Sequence, residues 1–390
     1  MNFLIGCARK QSLRNVDFDM RLTVFLTHSL SLRTWYEQGI FDRELAIYRK
    51  LQEKGVAINF VSYGGRDEYD FASQIPDMRI LCNWIGWSEK RYTQRLHQLH
   101  GLRLWQSDVY KTNQLNGAQV AVRASQLWNR PLIVRFGFLW SAFAEQNHAL
   151  ESDWVQRIHR IQNDAFQHAS RVVMTSPLML DDVRKVAPTI DDKVTIIPNY
   201  VDTERFCPLE QSKVYDLVFV GRVSEQKNLR SLLTAIRNTD YTLAIAGDGD
   251  LRESLQEEFN DLGERVHWLG RVAHPELPTL INQGRVFILP SHYEGHPKSL
   301  IEAMACGVPV IGTRVRGIKQ VLEHEKTGIL CDPDAESIRC AIDNILTKPD
   351  LRAQIGANAR QFAVEHYSLE QIAQTEYDVL RAVASHSQVR

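Results

Sequence analysis

Along this 390-residue chain, short apolar runs rich in β-branched residues alternate with longer stretches whose apolar positions recur every three or four residues. Continuous or period-two runs build strands and the 3.6-residue period builds helices, so their regular alternation predicts parallel α/β architecture. In the first half, strands are predicted over Leu22–Thr27, Ala57–Tyr63, Arg79–Cys82, Leu132–Phe136 and Arg171–Thr175. A helix is predicted over Gly39–Lys54, where Phe41, Leu45, Ile47, Tyr48 and Leu51 share one face. From Lys193 the helical period lapses, and Pro198 and Pro208 bracket the gap. A domain junction belongs there.

Beyond it the alternation restarts. Strands are predicted over Tyr215–Val220, Thr242–Ala246, Val266–Leu269, Val286–Pro290, Val308–Thr313 and Gly328–Cys331. The intervening helices are Asn228–Asn238, Asp250–Leu262, His274–Gln283, Lys298–Cys306, Gly317–Glu323, Ala335–Leu346 and Leu351–Glu365, and an amphipathic stretch, Leu369–Val383, follows. Six such strands make one doubly wound sheet. The expected layout is a Rossmann-like domain over 1–195, a second over 196–366 and a closing helix within 367–390. Two such domains face each other across a cleft, and ligands in open α/β sheets gather at the carboxyl ends of strands. Met20 offers a second start just ahead of the first strand, so residues 1–19 read as an extension.

Length suits two domains better than one core. A hydrophobic fraction of 44% and a charged fraction of 24% are ordinary for a soluble globular protein. A net charge of −1 argues against nucleic acid as a partner, so any anionic ligand must meet local positive charge. The six cysteines (Cys7, Cys82, Cys207, Cys306, Cys331 and Cys340) form neither a C-x-x-C nor a zinc-like cluster, which suggests a reducing compartment. No apolar run approaches the roughly 20 residues of a membrane span, and the N-terminus lacks the basic and apolar regions of a signal peptide. The expectation is a cytoplasmic protein.

Two segments carry chemistry. Phe219-Val-Gly-Arg222-Val-Ser-Glu-Gln-Lys227 follows a strand and opens a helix. Gly221 lets backbone approach a ligand, Arg222 offers a planar fork for phosphate and Lys227 a point charge. On spacing alone, both cations fit a solvated βα turn equally well. In the second segment a strand ends at Pro290, a polar loop follows, and a helix runs from Lys298 to Gly307, which suits the C′ position. Free amides of Lys298, Ser299 and Leu300, reinforced by the helix dipole, form an anion site. Glu294 in the loop and Glu302 in the second turn suit paired sugar hydroxyls, or else are a loop charge and an exposed helix residue.

These residues, with Pro198-Asn-Tyr-Val-Asp202, Gly247-Asp-Gly249, Leu269-Gly-Arg-Val272 and Glu302-Ala-Met-Ala-Cys-Gly, keep their order over about residues 195–365. Together they resemble the retaining, GT-B-fold glycosyl transferases group 1 (family four). The resemblance implies metal-independent transfer of a hexose from a UDP- or GDP-linked sugar to a glycan, glycolipid or other glycoconjugate, with no further cofactor. It implies that Arg222 and Lys227 neutralise the donor diphosphate, and that Glu294 meets the donor sugar at its reacting face. Glu302 would bind the ribose, and the backbone of Gly295 to Leu300, with His296 and Ser299, phosphate and sugar. Backbone at Arg271 and Val272 would meet the base. Gly39-Ile-Phe-Asp-Arg-Glu44 would approach the phosphates, and Leu369–Val383 would cross back onto the first domain.

The pattern has departures. Val134-Arg135-Phe-Gly137 stands where many members carry a histidine facing the donor sugar. Arg135 suits a phosphate or acidic group of donor or acceptor, or a partner carboxylate. His296 replaces a usual apolar residue, and either touches the donor sugar or bonds to backbone. Asp248-Gly-Asp250 mimics a D-x-D metal motif, but reads as a strand-to-helix turn with Asp250 as N-cap, so no metal is expected. Arg252 stands where a dinucleotide fingerprint needs its third glycine. Trp84 to Trp105 is aromatic and basic, with Lys90, Arg91, Arg95 and Arg103 against Glu89. It fits an anionic inner membrane face near a lipid-linked acceptor, or a domain helix with a solvated basic face. Trp35, Tyr36, Trp140 and Phe143 fit acceptor stacking or core packing. Two other functions share the fold: a nucleotide-sugar 2-epimerase, which the cation and glutamate set disfavours, and a catalytically silent nucleotide-sugar-binding subunit.

Overall fold

The computed structural model describes residues 18–141 and 152–387, so Phe143 and nearly all of the extension lie outside the described residues. A first parallel sheet holds seven strands: β1 (Met20–Phe25), β2 (Val56–Val61), β3 (Arg79–Leu81), β4 (Val109–Thr112), β5 (Leu132–Phe136), β6 (Arg171–Met174) and β7 (Val194–Ile196). Their spatial order is β3-β2-β1-β4-β5-β6-β7. Its helices are α1 (Leu32–Glu37), α2 (Phe41–Glu53), α3 (Glu89–Leu99), α4 (Gly101–Trp105), α5 (Ala118–Trp128), α6 (Asp153–His168) and α7 (Leu180–Val186). Strands covered by helices on both faces need apolar side chains on both sides, and all six residues of β2 are buried.

The second sheet has the order β10-β9-β8-β11-β12-β13. Its strands are β8 (Tyr215–Val220), β9 (Leu243–Ala246), β10 (Val266–Gly270), β11 (Gly284–Leu289), β12 (Val310–Thr313) and β13 (Ile329–Cys331). Around it lie α8 (Leu229–Ile236), α9 (Arg252–Glu258), α10 (Leu277–Gln283), α11 (Lys298–Ala305), α12 (Ala335–Leu346) and α13 (Pro349–Tyr367), and α14 (Leu369–Ser387) ends the described chain. The chain passes between the sheets twice, and the passages are tied: Val201 N–H donates to Tyr367 O, and Leu369 N–H to Val201 O. Leu369, Ile372, Ala373, Leu380 and Val383 of α14 then join the core of the first sheet.

Two strands had no clear signal. β4 is interrupted by Lys111, a lysine that is 1% exposed. β7 is three half-buried residues directly before Ile197 and Pro198, and it carries the first sheet to Ile196. Two expectations are corrected. Gly317–Glu323 is a chain of turns, with Val321 N–H donating to Ile318 O, rather than a helix. There Gly317 presses on the loop holding Glu294, and a Cβ on it would lie 2.1 Å from Glu294 O. Asp250 is not an N-cap: α9 starts at Arg252 after Leu251, whose N–H is drawn to Val223 O. Trp35 is a core residue at 1% exposure, whereas Tyr36 is exposed. Trp140 is half-buried against Val155 and Ile158.

Candidate active site

The loops following β8, β9 and β11 meet at the carboxyl edge of the second sheet. Gly247, at φ +148°, lies under Gly221, where a Cβ would come 1.8 Å from Gly221 O. Asn228 adopts left-handed backbone, is buried, and donates to Pro290 O (3.0 Å) and Pro333 O (2.7 Å). Gln226 ties the same loop to the next, accepting from His292 N–H (2.9 Å) and donating to Tyr293 O (2.9 Å). This lashing delivers Lys227 Nζ to Glu294 Oε1 at 2.5 Å, with their side chains 15% and 7% exposed. Ser291 Oγ donates to the same oxygen at 2.7 Å. Arg222 is exposed and has no ion-pair partner among the described residues.

Helix α11 starts beside this pair. Pro297 supplies no side-chain cap, and Ile301 N–H makes the first bond, to Pro297 O, so the amides of Lys298, Ser299 and Leu300 have no acceptor within the helix. Leu300 is fully buried, leaving only its backbone to meet a ligand, while Ser299 is half-buried. Gly307 closes the helix at φ +68°. Glu302 is not a solvated helix residue: it is 3% exposed, and Oε1 lies 3.0 Å from His274 Nε2. Arg271 is exposed near Asp248 (3.8 Å), which also neighbours Arg252 (3.7 Å); Val272 packs half-buried on the core. Among the described residues, no three His, Cys, Asp or Glu side chains gather as a metal site.

The first domain closes the cleft. A Cβ on Gly295 would lie 3.2 Å from Gly137 O, so the turn after β5 faces the Glu294 loop directly. Arg135 Nη2 approaches Asn199 Oδ1 (3.4 Å) and has no carboxylate at ion-pair distance among the described residues. Asn199 Nδ2 donates to His296 O at 2.8 Å. The His296 ring stacks edge-on against Tyr367, and its buried Nδ1 lacks a partner. Burial, then Arg135 and Lys298, push its pKa down to about 4, so it is neutral at pH 7. Gly39 serves as the C′ residue of α1, with Ile40 N–H donating to Trp35 O. It is Glu44, five residues on, that crosses to the second domain and meets Lys298 Nζ at 2.7 Å.

Glu44 yields a pH prediction. Burial alone would raise its carboxyl, but Lys298, Arg43 and Arg135 outweigh it and hold the pKa at about 2. A depressed carboxyl contributes stability that is present above its unfolded pKa and lost as pH falls through the folded one. Glu44→Gln is expected to cost on the order of 3 kcal/mol at pH 7. In urea unfolding followed against pH, the gap between variant and parent narrows from about pH 4.5 down to pH 2.

Sequence reasoning passed over three residues, Asn199, Glu44 and the buried Lys111. Asn199 and Glu44 sit within quoted motifs but have no distinguishing spacing. The buried lysine in β4 had one signal, a charge inside an apolar run.

Comparison with known proteins agrees with this geometry. Residues 201–362 match the family model of the glycosyl transferases group 1, and residues 40–200 that of the glycosyl transferase 4-like domain. An uncharacterized glycosyltransferase of Methanocaldococcus jannaschii is 30% identical over 60% of this chain and 65% of its own length. A glycogen synthase of Mycobacterium tuberculosis is 24% identical over 76% of this chain and 74% of its own. Among solved structures, sucrose-phosphate synthase from Thermosynechococcus elongatus superposes with a TM-score of 0.79 at 20% identity, over 94% of this chain and all of that one. Anabaena HepE in complex with UDP superposes with a TM-score of 0.74 at 18% identity, over 93% and 100%. The fold is therefore GT-B, and the chain belongs to the group 1 glycosyltransferases, enzymes that transfer sugar.

Proposed function

We propose that this enzyme moves a hexose from a UDP- or GDP-linked donor to a glycan, glycolipid or other glycoconjugate, with retention of configuration and without a metal. The observation that carries this reading is the Lys227–Glu294 pair set beside the open start of α11. When the sugar C1–O bond breaks, its electron pair goes to the β-phosphate. Lys227 and the α11 amides are a cation and dipoles fixed where that charge grows, and Arg222 supplies a second cation. The carboxylate of Glu294 favours the positive charge developing on the sugar. An acceptor hydroxyl forms the new C1–O bond, and its proton passes to the departing phosphate. Glu302, oriented by His274, receives the ribose hydroxyls, and backbone at Arg271 and Val272 the base. HepE was solved with UDP and with UDP-glucose, which supports a uridine donor.

The reading places the enzyme in the cytoplasm, against an anionic membrane face. Trp84, Ile85, Leu102 and Trp105 are exposed beside Arg91, Arg95 and Arg103, a composition suited to the interface. No helix among the described residues is long and apolar enough to cross a membrane.

The test incubates the protein with UDP- and GDP-sugars in excess chelator and follows products by NMR. Turnover with the donor's anomeric configuration preserved is expected. An inverted product, or activity that needs added metal, refutes the corresponding part. Conversion of the donor sugar to its 2-epimer without transfer would favour the epimerase instead. Trp84→Ala/Trp105→Ala is expected to cut co-sedimentation with anionic vesicles several-fold.

A further inference from the structure

We propose that a hollow of about 800 Å³ on the first domain is the acceptor site, and that it selects an acceptor bearing a phosphate or carboxylate. This rests on the donor-transfer reading above. The hollow lies where the strand order of the first sheet reverses, between β1 and β4. At such a switch point the connections diverge and leave a crevice for ligand. The floor is His28, after β1, and the walls are the starts of α3, α5 and α6. His28 N–H donates to Asn116 O, and Gly117, at φ +96°, allows the approach: a Cβ there would lie 3.0 Å from His28 N.

The hollow is positive. Lys90, Arg123 and Arg157 line it, all exposed, none with an ion-pair partner among the described residues. The single lining carboxylate, Glu89, is already engaged by Ser29 Oγ and by His28 Nε2 at 3.2 Å. Three cations against one committed carboxylate leave an excess of positive charge. Helix α5 starts at the hollow and adds the positive end of its dipole, although its Ala118 and Val120 amides are already bonded to Leu115 O and Gly117 O. His28 Nδ1 and Gln119 Oε1 are buried without a partner in the protein. The arginines suit a forked anion. The same carboxyl edge of the first sheet carries Gly137, which touches the donor loop at Gly295.

The full chain, saturated with UDP, is titrated calorimetrically with glucose, glucose 1-phosphate, glucuronate and phosphatidylglycerol vesicles. At least tenfold tighter binding of the anionic ligands than of glucose is expected. Arg123→Gln/Arg157→Gln should abolish that preference, and the thermal shift given by UDP shows whether the double variant is folded. Preference for the sugars assigns the charge to a soluble acceptor, whereas preference for vesicles with the same arginine dependence assigns it to a lipid-linked phosphate. Equal binding of glucose and its phosphate, or a preference that survives the double variant, overturns the acceptor proposal while UDP binding stands. Failure of the unaltered chain to bind UDP or GDP would overturn the donor reading instead.

Discussion

Lys227→Ala is expected to lower kcat/KM by on the order of 10²–10³-fold, and Glu294→Ala by a similar factor. The two side chains share one short ion pair, so the double variant should fall little further than either single one. The size follows from removing one preorganised charge from a site where negative charge appears only as the bond breaks, about 3–4 kcal/mol of transition-state stabilisation. A loss confined to KM would instead mean that the lysine holds substrate and transition state alike. Folding must be controlled, because Glu294 is 7% exposed and loses its counter-ion in Lys227→Ala. Glu294→Gln serves that purpose: it keeps an oxygen for Ser291 Oγ and removes only the charge. If Glu294→Gln is folded, binds UDP and transfers at the parental rate, Glu294 has no electrostatic part in the reaction.

The grouping of Lys227, Glu294 and the start of α11 was legible because it is built locally. A strand, a Gly-containing turn and a helix start lie within twenty residues of one another around Glu294, and their order in the chain is their order in space. What was not legible is what distant segments do to those residues. Glu302 gave no sign of being covered by His274, 28 positions earlier. Lys298 gave none of pairing with Glu44, 254 positions away. The turns at Gly317–Glu323 have a helical apolar period, but the backbone there is pressed against Glu294 O, and tertiary contact overrode propensity. The acceptor side failed for the same reason: His28, Glu89, Arg123 and Arg157 come from four separate segments and share no motif.

The largest stability effect is expected at Lys111 and Glu376. Lys111 sits in the central strand β4 at 1% exposure, Glu376 on α14 at 2%, and Lys111 Nζ donates to Glu376 Oε1. Burial, opposed by Glu376 and assisted by Arg135, shifts the lysine's pKa downward, so the charged form survives there only because of its partner. Lys111→Met leaves the buried Glu376 carboxylate without its ion-pair partner, and Glu376→Leu leaves the buried ammonium without its own. Each should cost about 3–5 kcal/mol, with Tm lowered by on the order of 10 °C. The double variant Lys111→Met/Glu376→Leu should recover most of this, because apolar groups of similar volume escape the desolvation cost that the pair incurs. Recovery has a consequence beyond stability. Glu376 lies on the helix that carries the chain back to the first domain, beside Ile372 and Ala373 in the core of the first sheet. A double variant as stable as the parent but slower in transfer would mean that the pair sets the angle at which the two domains meet. One both stable and active would mean that apolar packing of α14 is sufficient, with the pair only tolerated. Single variants as stable as the parent would contradict the burial of the pair itself.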